Sequence, residues 1–340
     1  MSDSVRTRLK ASASGQSMRK RQSPKRKQSK KQEQAQEPQS QIEHVTHETS
    51  SVEEHANVLF KPNPGPQTEF LAASEREVLY GGSAGGGKSY AMLADPLRYM
   101  GHSQFSGLLL RHTTEELREL IFKSQELYPK IWPGIKWSER KMQWTAPSGA
   151  RLWMSYLDRD EDVLRYQGLA FSWIGFDELT QWATPYAWNY MRSRLRSTAP
   201  DLPIFMRATT NPGGRGHGWV KKMFIDPAAY NKPFEATEIE TGEILRYPAG
   251  HSKAGKPLFK RRFIPARLSD NPFLAETGDY EAMLLSLPEQ QRRQLLEGDW
   301  DIKEGAAFTE FNRDVHVVEP FRIPANWVKF RACDYGYGSY

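Results

Sequence analysis

"EVLYGGSAGGGKSYAMLADPLRYM", residues 77–100, decides the fold of this chain. Glu77–Tyr80 reads as a buried strand, Gly81–Gly87 as a turn, and Lys88 to about Met100 as a helix. Between strand and helix lies Gly82-Ser83-Ala84-Gly85-Gly86-Gly87-Lys88-Ser89, a full G-x-x-x-x-G-K-S phosphate loop. Glycines such as Gly82, Gly85 and Gly87 let successive backbone N–H groups curl around phosphate oxygens without a clash from Cβ. The helix N-terminus adds positive potential, Lys88 is expected to reach the β- and γ-phosphates, and Ser89 to ligate Mg²⁺. The bare pattern arises by chance in ~1% of chains of this length, and the strand–loop–helix context lowers that further. In the approach, Pro62, Pro64 and Pro66 exclude helix.

A phosphate loop does not by itself separate kinases, GTPases and motor ATPases. "LAFSWIGFDELTQ" (169–181) does: it is an apolar strand ending in two acids, Asp177 and Glu178. The first acid falls near the loop, where it can hold the Mg²⁺ shell, and the second can polarise a water for in-line attack on a γ-phosphate. A kinase excludes that water, so paired acids favour hydrolysis. The blander alternative is a strand followed by an acidic helix start. No Asn-Lys-x-Asp segment for reading guanine occurs, which makes ATP the expected nucleotide.

Three more pieces follow the expected order. "SGLLLR" (106–111) is a short buried strand ending in Arg111, with an amphipathic helix after it. "PYAWNYMRSRLRSTAP" reads as a helix with Arg192, Arg194 and Arg196 near its C-terminal end. "IFMRATTNPGGRGHGWVKKMF" gives a strand over Ile204–Thr209, a polar end at Thr210-Asn211 and a Gly-rich basic turn. Hydroxyl and amide groups beside the acid strand can sense a γ-phosphate, although Asn211-Pro212-Gly213 is also an ordinary turn sequence.

Composition bounds the rest. The 340 residues are 38% hydrophobic, with ten Trp and sixteen Phe, enough for a sizeable core. The one cysteine, Cys333, excludes an internal disulfide and suits a reducing compartment. The apolar runs are too short for a membrane span, and the N-terminus lacks the apolar stretch of a signal peptide; a soluble, intracellular protein is expected. The net charge of +6 is uneven. Residues 1–31 hold eleven of the 47 basic residues and one of the 41 acidic ones, so the remaining chain carries 36 basic and 40 acidic, a net of −4. Residues 1–57 have few large apolar groups and are expected to form a disordered basic tail that binds polyanions weakly; a merely solubilising tail explains them equally well.

The ordered set "PGPQTEFL", "GGSAGGGKSY", "LLLRHT", "YQG", "IGFDELTQ", "RATTNPGG…GHGWVKKMF", "FIPARLSDNPFL", "LLEGDWD" and "ACDYG" resembles the large subunit of tailed-bacteriophage terminase, from about Phe60 to the end. The resemblance implies an α/β P-loop NTPase of RecA-like (additional-strand, conserved-glutamate) topology: a mostly parallel sheet flanked by helices, with a small lid subdomain. It places the ATPase in 58–270 and the lid and linker in 271–324. Residues 325–340 become the first strand of an RNase H-like nuclease, cut off at its start. Lys88, Asp177 and Glu178 take the catalytic roles, Ser89 and Asp177 hold Mg²⁺, and Gln67 reads adenine, as a Gln amide can. Thr209, Thr210 and Asn211 couple hydrolysis to movement. Asp334 becomes the first acid of a nuclease needing two Mg²⁺ or Mn²⁺, a site this chain does not complete.

Two departures matter. Many relatives carry an arginine inside the phosphate loop, where this chain has Ala84, and an arginine before the glycine at Gln167-Gly168. The arginine finger therefore falls among Arg165, Arg194, Arg196 and Arg215, with Arg165 the candidate. Implied partners are double-stranded DNA, the portal protein, the small terminase subunit and further copies in a ring. No membrane is implied, and the implied place is the cytoplasm of an infected bacterium, docked on the procapsid portal. Two other classes remain open: a helicase-type or recombination ATPase of RecA-like fold, and a DNA tether whose nucleotide site is only structural.

Overall fold

The computed structural model describes residues 60–302, 321–324 and 326–328. The basic tail at 1–57 and the terminal stretch with Asp334 lie outside the described residues.

The chain enters through α1 (Pro66–Ala72), which begins on Pro66 itself. Proline is tolerated in a first turn, whose N–H has no helical acceptor, so the prolines that exclude helix upstream also start this one. β1 (Glu77–Gly82) follows and is buried along its whole length. The helix after the loop is α-helical only over α2 (Lys88–Ala94) and tightens to a 3₁₀ turn at Asp95–Tyr99. Pro96 accounts for the change, since it donates no N–H to an α ladder.

Next come β2 (Ser106–Arg111) and the long α3 (Thr114–Ile131). α3 opens on a capping box: Thr113 accepts from the Glu116 N–H, and the Glu116 carboxylate accepts from the Thr113 N–H. Short β3 (Lys136–Ser138), β4 (Gln143–Thr145) and β5 (Arg151–Tyr156) follow, then β6 (Trp173–Asp177). α4 covers only Tyr186–Arg192, so Arg194 and Arg196 lie beyond the helix that the sequence suggested would carry them. β7 (Phe205–Thr210), α5 (His217–Val220), β8 (Phe234–Glu235) and β9 (Lys260–Ala266) complete the sheet region. α6 (Pro272–Ala275), α7 (Asp279–Leu285) and α8 (Glu289–Arg292), with a wider turn over Arg293–Glu297, lie against the loop end of the sheet.

One nine-stranded sheet runs β3-β4-β5-β2-β6-β7-β1-β9-β8. From β5 to β9 every pairing is parallel, and the antiparallel strands sit at the two edges. β7 lies between the loop strand β1 and the acid strand β6, the additional-strand arrangement of RecA-like ATPases. Period-two alternation divides the core between the two faces. Leu108, Leu110, Ile174, Phe176, Met206 and Ala208 pack with Trp188 and Phe224 on one side. Leu109 and Trp173 pack with Met92, Leu120 and Tyr128 of α2 and α3 on the other. Covered on both faces, β6 reads as a continuous apolar run. A Cβ at Gly175 would stand 2.8 Å from the Met92 sulfur, so its absence lets α2 settle onto the sheet.

Candidate active site

In a parallel sheet the ends of β1, β6 and β7 converge, and here they carry the predicted residues. Asp177 pairs in register with Thr209, and Gly81 with Thr210. The phosphate loop leaves β1 at Gly82 with φ 130, and Gly85 and Gly87 have φ 78 and 75, which L side chains rarely adopt. Tyr80 donates from its hydroxyl to Gly86 O (2.7 Å), and burial, with Asp270 nearby, pushes its ionisation well above the usual range. Ser83, fully buried, accepts from Leu268 N (3.0 Å) and donates to Ala266 O (3.1 Å), tying the loop to the end of β9.

Lys88 is the centre of this arrangement. Its ammonium donates to Ser83 O and to Asn211 Oδ1, each at 2.7 Å. Burial lowers its pKa, and the Glu178 and Asp177 carboxylates oppose that fall. Asn211 thus links the loop lysine to the end of β7. Thr209 donates to Asp177 Oδ1, and Arg111 at the end of β2 pairs with Asp177 Oδ2 at 2.7 Å. Burial would lower the Arg111 pKa, but Asp177, Glu178 and Glu116 outweigh it and raise it.

Glu178 turns the chain out of β6 in the left-handed region, φ 60 and ψ 58. A non-glycine residue there carries strain on the order of 1–3 kcal/mol. The strain is held in place by Thr180, which accepts or donates at Thr210 Oγ1 (2.7 Å), donates to Asn211 O (3.2 Å), and accepts through its carbonyl from Gly216 N (2.7 Å). Burial first, then Asp177 beside it, pushes the Glu178 carboxyl above the usual carboxylate range, while Lys88 and Arg111 pull the other way.

Gln67 is buried against the loop. Its amide donates to Gly87 O (2.9 Å) and accepts from Asn63 N (2.6 Å), so in this structure it braces the loop backbone. Ser89 is half-buried at the start of α2, and its hydroxyl makes no hydrogen bond among the described residues. Mg²⁺ prefers hard oxygen donors and takes one or two protein ligands alongside phosphates and waters. The Ser89 hydroxyl and the Asp177 carboxylate fit that donor set. Among the described residues no group of three or more His, Cys, Asp or Glu could hold a metal.

Arg165 lies apart from this cluster. It donates to Tyr156 O (2.7 Å) and Asp162 O (3.2 Å) and rests over the Tyr156 ring. Arg194 lies over Tyr190, and Arg196 reaches the carbonyls of Gly168 and Leu169. Arg215 is exposed in the turn four residues after Asn211. Trp219 is buried and donates to Trp182 O (2.8 Å).

Sequence reasoning gave no role to Arg111, Thr180 or Asn271. Asn271 donates to Gly85 O (2.6 Å), and the helices after it press on the loop: a Cβ at Gly85 would meet Leu268, Leu274 and Tyr280 within 3.3 Å. Ala84 N donates to Leu295 O at 2.6 Å, and Gly298 passes so close that a Cβ there would stand 2.8 Å from Ser83 N. The one signal available was Arg111, a charge closing an otherwise apolar strand.

The profile described as terminase large subunit, T4likevirus-type, N-terminal, matches residues 79–314. Among solved structures, the large terminase of a thermophilic bacteriophage in complex with ADP aligns at a TM-score of 0.51 and 16% identity, covering 76% of this chain and 58% of that one. Another crystal structure of the same large terminase gives a TM-score of 0.51 and 16% identity, covering 77% and 59%. The large terminase ATPase domain of Thermus phage P74-26 gives 0.44 at 12% identity, covering 71% and 94%. At these identities the likeness is one of fold, and the chain spans 58% of the length of the first of these structures. No curated protein matches the chain.

Proposed function

The chain belongs to the terminase large-subunit family, and from that premise we propose that it is an ATP-hydrolysing motor that translocates double-stranded DNA into a phage procapsid. One observation carries this reading: Lys88, Asp177, Glu178, Thr209 and Asn211 meet at the ends of three neighbouring parallel strands.

The backbone N–H groups of 85–89 and the Lys88 ammonium bind the phosphates. When bound, Mg²⁺ held by Ser89 and Asp177 supplies neutralisation of charge on the phosphate oxygens. Glu178 orients the attacking water and takes its proton; its raised affinity for protons suits it to that task. Lys88 exchanges Asn211 for phosphate as a partner, so Asn211 is released when nucleotide arrives. Through Thr180 that release reaches the Gly-rich turn at 213–216, which makes Thr209–Asn211 the segment coupling hydrolysis to movement. Arg165, already outside this cluster, serves as an arginine finger only toward a neighbouring copy in a ring.

The reading divides the chain into a basic tail at 1–57, an ATPase domain at 58–270, a lid and linker at 271–324, and the start of an RNase H-like nuclease at 325–340. Its partners are duplex DNA, the portal protein, the small terminase subunit and further copies of itself, in the cytoplasm of an infected bacterium. ATP turnover by the purified chain, measured with and without duplex DNA and in Glu178→Ala, tests it. Removal of the general base should lower turnover by about 10²–10⁴-fold. Wild-type rates in Glu178→Ala would refute the mechanism.

A further inference from the structure

Between Glu243 and Asp270 the chain has seven Lys/Arg and no acid. Three stretches here form a small antiparallel meander beyond the β8–β9 edge. Thr237 bridges Ile244, and Arg246 bridges Pro257. Leu245 N donates to Ala236 O, Leu258 N to Leu245 O, and Tyr247 N to Lys256 O, at 2.8–3.0 Å. Consecutive turns of an antiparallel meander lie at its opposite ends. The turn at 238–243, with Glu238, Glu240 and Glu243, is therefore held away from the turn at 248–255, which carries His251 and Lys253 and leads into Lys256; Lys260 lies at the other end of its strand, in register with Glu235.

The basic turn is ordered by its own contacts. The Tyr247 and His251 rings stack at 4.5 Å and 17°, and Arg246 Nη1 donates to Gly255 O at 2.8 Å. Two other arginines of the stretch are engaged elsewhere, Arg261 with Glu77 and Arg262 with Glu69. Arg246, Lys253 and Lys256 are exposed, and among the described residues none pairs with a carboxylate. The turn between them is Pro248, Ala249, Gly250, Ser252, Ala254 and Gly255, small residues that let a partner's backbone come close. It offers none of the large exposed apolar anchors on which protein interfaces depend. An ordered, uncompensated row of cations on small residues suits the phosphates of a nucleic acid, which bind by counterion release without reading sequence.

We propose that this meander, through Arg246, Lys253 and Lys256, is a contact surface for the phosphodiester backbone of duplex DNA. It rests on the reading of the chain as a DNA motor and adds where on the sheet edge the duplex is gripped. The test uses the full chain and the double substitution Lys253→Gln, Lys256→Gln, which spares Arg246 and its bond to the turn. A control, Arg140→Gln, Lys141→Gln, removes the same charge from the β3–β4 hairpin at the opposite edge. Affinity for a 30-base-pair duplex is followed between about 50 and 200 mM salt. Each lost phosphate contact reduces the slope of log K against log salt by ~0.9, so the meander variant should be shallower by about 1.8. The wild-type advantage then shrinks about 12-fold across that salt range. Melting temperature and DNA-independent ATP turnover should stay at wild-type values, and the control should keep the wild-type slope. An unchanged slope in the meander variant, or an equal change in the control, overturns the assignment. Loss of polyglutamate binding with the DNA slope intact would assign the surface to an acidic protein instead. If wild type binds no duplex at low salt, the motor reading fails and the surface with it.

Discussion

Replacing Arg111 by alanine tests the site where structure and chemistry are most tightly joined. The Arg111 guanidinium is nearly buried, 2.7 Å from Asp177 and 4.0 Å from Glu116. Its removal leaves Asp177 fully buried, with the Thr209 hydroxyl still donating to it. Breaking a buried ion pair by deleting one partner costs about 3–5 kcal/mol. Unfolding entropy of about 2.1 cal/mol/K per residue, over roughly 240 residues of the described domain, gives ~0.5 kcal/mol/K, so the melting temperature should fall by about 6–10 °C. Scanning calorimetry without nucleotide measures that fall. Repeating the scan with Mg²⁺ and ADP adds a second reading, because a cation near Asp177 restores part of the lost compensation and narrows the gap. Arg111→Lys should recover only part of the loss, since an ammonium cannot match the planar guanidinium. A melting temperature within 1 °C of wild type would show that the pair does not hold the acid in place, and the reasoning would fall.

Gln67→Ala separates two roles: as a brace on Gly87 it should weaken ATP and GTP alike, by about tenfold, whereas a loss confined to ATP would identify it as the reader of adenine. Thr180→Val removes the hydroxyl shared with Thr210 and Asn211; a stability loss of about 1–3 kcal/mol, seen in urea unfolding, should accompany slower turnover. Gly216→Ala would place a Cβ 2.0 Å from Trp182 O and 2.6 Å from Trp219 Nε1, so its yield of folded protein should collapse. Glu77 is fully buried between Arg192 and Arg261. Burial raises its pKa, but the two arginines outweigh that and hold it below 4.5. Its stabilising contribution is therefore present above the unfolded-state value and lost as pH falls through the lower folded-state value. Acid unfolding curves of wild type and Glu77→Gln should differ in slope within that window and run parallel above it.

The loop and the acid pair were legible because each is written locally, whereas the strand order was available only through the family resemblance. Glycines at Gly82, Gly85 and Gly87 announce positive φ, and an apolar run ending in Asp177-Glu178 announces a strand with its chemistry at the tip. What the sequence hid depends on distance. Arg111 and Asp177 are 66 residues apart in the chain and meet because β2 and β6 pair in register. Thr180 carried no signal of its own, and its clamp on Asn211 exists only because β7 ends beside it. Helix lengths were overestimated for a related reason. Pro96 and the bridge between Phe171 and Leu195 redirect the chain where apolar spacing alone would let a helix continue.

The bond from Ala84 N to Leu295 O joins the phosphate loop to the end of the helical segment that follows the sheet. It is made by peptide groups, and every residue type brings the same carbonyl. No substitution at 295 can delete the acceptor, and only proline at 84 would delete the donor. Such a link leaves no trace in residue identity, so neither side-chain comparison nor alanine scanning can reveal it. Its failure has to be produced indirectly, by bulk at Gly298, where the chain passes Ser83 too closely to admit a methyl group.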